Sequence, residues 1–226
     1  MHNDSVYFKL SELLDANACF DLEARGTTNH CPMALVALAE MGASSARLQE
    51  FFDMWEREYA LSAPPVYEII SRHEWARHLG KRTAFGALRL CFQDWIADAG
   101  SVPVITAVLQ EVPFAPATVA FHALIRLAYG IEAGHVGEIA SGLASLISSN
   151  LPIEVRLDGS RRAKSIDVGL EHAAVALSDL VLPRDSITSR LHAVATDVRF
   201  GKAVLAPPAN VVLLDDLAKA TIGAYC

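Results

Sequence analysis

The sequence predicts an all-α protein, a multi-helix bundle in which packed helix pairs surround a central apolar helix. Three observations carry that expectation. Apolar residues recur at helical spacing along most of the chain, and the alternation of a half-buried strand is almost absent. The prolines fall in breaks between periodic stretches or in their first turns, where a missing N–H does no harm. The most apolar region, Val112 to Ile147, is interrupted by His122, Arg126, Glu132, His135 and Glu138, so it reads as buried helices rather than a membrane span.

The elements follow in order. Val6 to Ala16 predicts a first helix with Phe8, Leu10, Leu13 and Leu14 on its apolar face. Cys19 to Thr28 is a polar connection containing Gly26. A second helix starts near His30, carries Pro32 in its first turn and ends at Gly42. Ser44 or Ser45 caps a third, in which Leu48, Phe51, Phe52, Trp55 and Tyr59 keep the helical repeat. After the Ala63-Pro64-Pro65 break, Ser71 to Gly80 predicts a short helix and Thr83 to Ala99 a longer one. Another has Pro103 in its first turn. Two apolar helices come next, about Ala117 to Ala133 and His135 to Ser148.

Beyond residues 149–152 the character changes. Ile153 to Leu157 alternates as a short strand would, and Arg161, Arg162 and Lys164 beside Asp158-Gly159-Ser160 read as a solvated loop. Helices resume over Gly169 to Val181, Ser186 to Val198 and Val211 to Tyr225. One helical domain over 1–226 is expected, with a subdivision near 149–165 left open.

Bulk properties narrow the function. A net charge of −7 argues against nucleic acid as a partner, because phosphate binding needs a concentrated basic face. The start Met1-His2-Asn3-Asp4-Ser5 has neither the basic head nor the apolar run of a signal peptide, so a cytoplasmic location is expected. Cys19, Cys31, Cys91 and Cys226 form no C-x-x-C pair and read as reduced thiols. Cys31 beside His30 raises a nucleophile reading, which adjacent helical positions pointing apart do not support.

The residues that draw attention are histidines in apolar helical surroundings. His122, Arg126 and Tyr129 stand at i, i+4 and i+7, on one face of a helix otherwise rich in Ala, Leu and Ile. That face suits a pocket wall, with Arg126 and Tyr129 as candidate catalytic residues. The helix pattern alone favours a structural network, with Arg126 paired to a carboxylate and His122 bonded to a carbonyl. His30 opens a helix and reads as a cap or a ligand. His135 precedes Glu138 by three residues, a spacing that serves capping better than metal binding at a helix junction. His73 and His78 face different ways, with Trp75 docking into the core. No glycine-rich phosphate or dinucleotide loop occurs, so NADPH has no motif behind it.

Two segments, Asn29-His30-Cys31-Pro32-Met33-Ala34-Leu35 and Ala120-Phe121-His122-Ala123-Leu124-Ile125-Arg126-Leu127-Ala128-Tyr129, resemble the questin oxidase-like family. Ala37 to Leu48, Trp75 with Leu79-Gly80, the helix of Phe92 and Trp95, Glu138 to Ala144 and Leu213 to Ala218 add to the likeness. The resemblance implies an all-helical oxidoreductase acting on polycyclic aromatic ketones or quinones; fungal relatives are associated with ring opening of anthraquinones. Part of the family is associated with non-heme iron held mainly by histidines and a modified lysine, which makes His30 and His122 candidate metal ligands. Relatives continue into a His-x-Val-Thr-type motif that this chain, ending at Cys226, does not contain. Two function classes therefore stand: a non-heme-iron or otherwise oxidative enzyme for an aromatic small molecule, or a non-catalytic helical protein that binds a hydrophobic small molecule or a copy of itself. A helical bundle shortened in this way would expose the face that its missing part covers, so homo-oligomers are expected.

Overall fold

In a computed structural model, residues 2–153, 161–200 and the isolated positions 205, 208, 215 and 219 are described. The chain divides into two compact units, 1–151 and 152–226. The first holds α1 (His2–Asn17), a hairpin of β1 (Glu23–Ala24) and β2 (Thr27–Thr28), α2 (Cys31–Glu40), α3 (Ser45–Glu58), α4 (Phe85–Ala99), α5 (Ser101–Glu111), α6 (His122–Glu132) and α7 (Val136–Ser148). Trp75–His78 and Arg82–Ala84 form 3-10 turns ahead of α4. The second unit holds α8 (Ile166–Ala176) and α9 (Ile187–Thr196). The all-α expectation holds, and among the described residues the hairpin is the only sheet.

The centre of the first unit is α7, where every residue from Gly137 to Ser148 is buried. Such a helix needs neighbours on all sides, and small residues let them close in. A Cβ added at Gly142 would lie 2.7 Å from the Cα of Leu127, and one at Gly130 would lie 2.8 Å from the backbone nitrogen of Ile139. The α6–α7 pair is thus packed nearly backbone to backbone. On another side α4 and α5 contribute Phe85, Leu88, Phe92, Val104 and Val108 to a core shared with Leu143 and Ile147. A separate core joins α1, α2 and α3 through Leu14, Leu35, Leu48, Phe52 and Trp55. Ser44 caps α3, its Oγ accepting from the N–H of Arg47 at 3.3 Å.

The structure departs from the sequence reading in three places. The connection after α1 contains the β1–β2 hairpin, turning at Gly26 (φ +71°). The helix expected over Ser71 to Gly80 contracts to one 3-10 turn, although Trp75 docks into the core as expected. The helix expected from about Ala117 begins only at His122. Val119, Ala120 and Phe121 have φ of 48°, 50° and 71°, a left-handed turn in residues that carry a Cβ.

In the second unit Ser165 and Ser186 cap α8 and α9. Arg199 donates to Asp179 and Asp197, and its hydrogen bond holds the Asp197 carboxyl down to about 2. The expected strand over Ile153 to Leu157, the loop Asp158 to Ser160, the helix Val211 to Tyr225 and Cys226 lie largely or wholly outside the described residues. No helix among the described residues is long and apolar enough to cross a membrane.

Candidate functional site

Two irregular stretches converge on one point. The first runs from the hairpin into α2. Asn29, wholly buried, donates its backbone N–H to the Leu22 carbonyl at 2.9 Å, and its side chain accepts from the N–H of Cys31 at 3.1 Å. His30 lies between them as the N-cap of α2 (φ −92°, ψ 0°), and its side chain makes no capping bond. The ring is therefore free to point elsewhere.

The second stretch is the left-handed turn ahead of α6. Thr118, fully buried, anchors it: the hydroxyl donates to the Ala115 carbonyl at 2.8 Å and accepts from the Leu151 N–H at 3.1 Å. The turn then aims the Val119 carbonyl at His122, accepting from both its backbone N–H (3.0 Å) and its Nδ1 (2.8 Å). A carbonyl cannot donate, so Nδ1 carries a proton and the neutral ring presents Nε2 as a lone pair.

The two imidazoles meet there. Nε2 of His30 lies 2.8 Å from Nε2 of His122, and the rings stand edge to face with centroids 4.7 Å apart and planes at 79°. With the His122 tautomer set by Val119, His30 Nε2–H is the donor. Apolar helical surroundings do not bury the rings: His30 is exposed and His122 half-buried. Phe121, beside His122, stays 47% exposed and Ile125 39%, leaving apolar surface next to the imidazoles.

The other candidates on α6 are arranged differently. Arg126 does not wall a pocket with His122, since its guanidinium is 0% exposed. It forms a forked pair with Glu138, Nε–Oε2 at 2.7 Å and Nη2–Oε1 at 3.1 Å, and donates to the Phe20 carbonyl at 2.7 Å. Helix periodicity put the two residues on one side of α6, but the carboxylate of α7 draws the guanidinium inward. Tyr129 is half-buried and packs against the α1–α3 core and a smaller cluster containing Ala123 and Leu146. His135 caps α7 as expected, its Nδ1 accepting from the Glu138 N–H at 3.1 Å and its Nε2 lying 3.1 Å from Asp15 Oδ1. Burial drives the Cys31 thiol well above its ordinary range, which removes it as a nucleophile.

The donors suit a metal as two of its ligands. Both are imidazole Nε2 atoms, and the carbonyl behind His122 Nδ1 is the usual orienting partner of a metal-bound histidine. Bonds of about 2.1 Å to one cation would separate the nitrogens by about 3.0–3.4 Å, so the pair would open by a few tenths of an ångström. Among the described residues no group of three or more His, Cys, Asp and Glu side chains is arranged to hold a metal. Sequence reasoning passed over Asn29 and Val119, although both lie within three residues of a candidate histidine.

No curated protein and no solved structure matches the chain. The family comparison gives a match over residues 27–217, a span that includes both histidines and every helix from α2 to α9. The chain belongs to the questin oxidase-like family.

Proposed function

We propose that the protein is an oxidoreductase that uses non-heme iron, held in part by His30 and His122, to oxidise an aromatic ketone- or quinone-type substrate. The observation that carries this reading is the meeting of two imidazole Nε2 atoms at 2.8 Å, in a chain whose family relation suggests oxidoreductase-like chemistry. When bound, the iron would supply activation of dioxygen beside the substrate.

The chain's own residues do the rest. Val119 fixes the tautomer and tilt of the His122 ring. His30, unencumbered by capping, turns its Nε2 to the same point and moves its proton to Nδ1 when a cation takes the lone pair. Phe121 and Ile125 offer apolar contact to a flat substrate and displace water from it. Arg126 acts at one remove, keeping α6 on α7.

Metal analysis of the purified full chain by plasma mass spectrometry tests the reading, with His30→Ala and His122→Ala alongside. Near-stoichiometric iron lost in both variants is the expected result, and an oxygen-consumption assay with quinones then follows. No metal in the parent and two well-folded variants would sink it. The protein would then be pursued as a binder of hydrophobic small molecules.

A further inference from the structure

We infer that Asn29 is the positioning residue of the histidine pair: it caps α2 from one residue upstream and thereby releases His30 to meet His122. The inference rests on the reading that the pair holds a metal.

The first N–H groups of a helix need acceptors, and the N-cap side chain ordinarily supplies one. The N-cap of α2 is His30, which makes no such bond. The task falls instead to Asn29, whose Oδ1 accepts from the Cys31 N–H at 3.1 Å. An imidazole committed to capping, as in His135 on α7, has one nitrogen turned back onto its own helix. His30 is spared that, and its Nε2 reaches another helix.

The rest of the Asn29 amide fixes the position of this cap. Nδ2 donates to Asn17 Oδ1 at 3.2 Å and to the Asp21 carbonyl at 3.1 Å, tying the start of α2 to the end of α1 and the turn that follows it. The amide has one sensible orientation. Turned over, it would face two acceptors with an oxygen and the Cys31 N–H with an NH₂ group. Asn17 and Asn29 are both 0% exposed, so neither bond can be replaced by solvent. Backbone on both sides of His30 is thus held by one side chain, while the ring itself lies outside.

The test is Co²⁺ titration of the full-length protein followed by visible absorption, with a thermal melt of each variant. Asn29→Ala should weaken cobalt binding by about 10–100-fold, the usual cost of losing a group that orients a metal ligand. Asn17→Ala removes one of the three amide bonds and should weaken it less, in the same direction. Leu88→Ala, in the core between α4 and α7, should lower the melting temperature and leave cobalt affinity as in the parent. His122→Ala should abolish binding.

If His122→Ala abolishes binding while Asn29→Ala leaves it unchanged, the positioning role is overturned and the metal reading stands. A loss in Leu88→Ala as large as that in Asn29→Ala also overturns it, because the effect would then follow stability alone. Should Asn29→Ala fail to fold, Asn17→Ala decides on the same criteria. Parent protein that binds no cobalt, or a His122→Ala variant that binds it equally well, overturns both readings.

Discussion

His122 and Arg126 stand four residues apart on α6, and the protein treats them in opposite ways. His122 is half-buried and spends one nitrogen on the Val119 carbonyl, leaving the other for His30 at the surface. Arg126 is sealed, with its charge consumed by Glu138 and its remaining reach by Phe20. The first arrangement keeps a donor atom available. The second turns a charged residue into a rivet between α6, α7 and the segment after α1. Polarity in an apolar helix is therefore no guide to chemistry until the partner is known.

The sharpest way to break this contrast is to remove one member from each pair. Glu138→Ala leaves a buried guanidinium unpaired and should cost about 3–5 kcal/mol in urea unfolding. A combined Arg126→Met and Glu138→Leu change should recover most of that, since apolar groups of similar volume fill the same space. His122→Ala should cost no more than about 1 kcal/mol, as expected of a half-exposed side chain. Equal losses at the two sites would mean that the histidine pair is structural as well.

A smaller effect is expected where α6 meets α7. Gly142→Ala pushes a methyl into the Leu127 backbone, and overpacking of this kind costs about 1–3 kcal/mol. The strain should part the helices and loosen the rivet before it reaches the imidazoles. An unchanged melting temperature would show that the crossing is slack.

The smallest effect should have the opposite sign. Ala120 has a φ of 50°, which glycine adopts freely and alanine does not. Ala120→Gly should raise stability by about 0.5–1 kcal/mol with the histidine pair intact. A lower melting temperature would mean that the turn is not strained at this residue.

These contrasts bear on what could be read from the residues alone. A helix such as α3 was legible because its burial is one-sided: Leu48, Phe52 and Trp55 mark its inner face, and Ser44 announces its start. The cap at His135 was legible for a similar reason, since capping is local in sequence. The left-handed turn was not. Ala117 to Phe121 contains no glycine to signal it, and it is fixed by Thr118 bridging Ala115 and Leu151, contacts that no local propensity encodes. The hairpin escaped notice because strands of two residues carry no alternation. For Arg126, spacing showed the face of the helix but could not say whether the carboxylate or the solvent side would hold the guanidinium. The two histidines were read together, as candidate ligands of one metal; that their Nε2 atoms meet is a tertiary fact.

That contact has a consequence for how the protein comes to its native state. His30 and His122 are separated by 92 residues, and closing a loop of that length costs about 4 kcal/mol in chain entropy before any packing offsets it. No fragment that holds only one of the segments can form the pair, however helical it is. An opening motion that lifts α2 away from α6 would part the rings while each helix survives. The distance between the two imidazoles is thus a gauge of completed folding, and it should be among the last contacts made and the first lost.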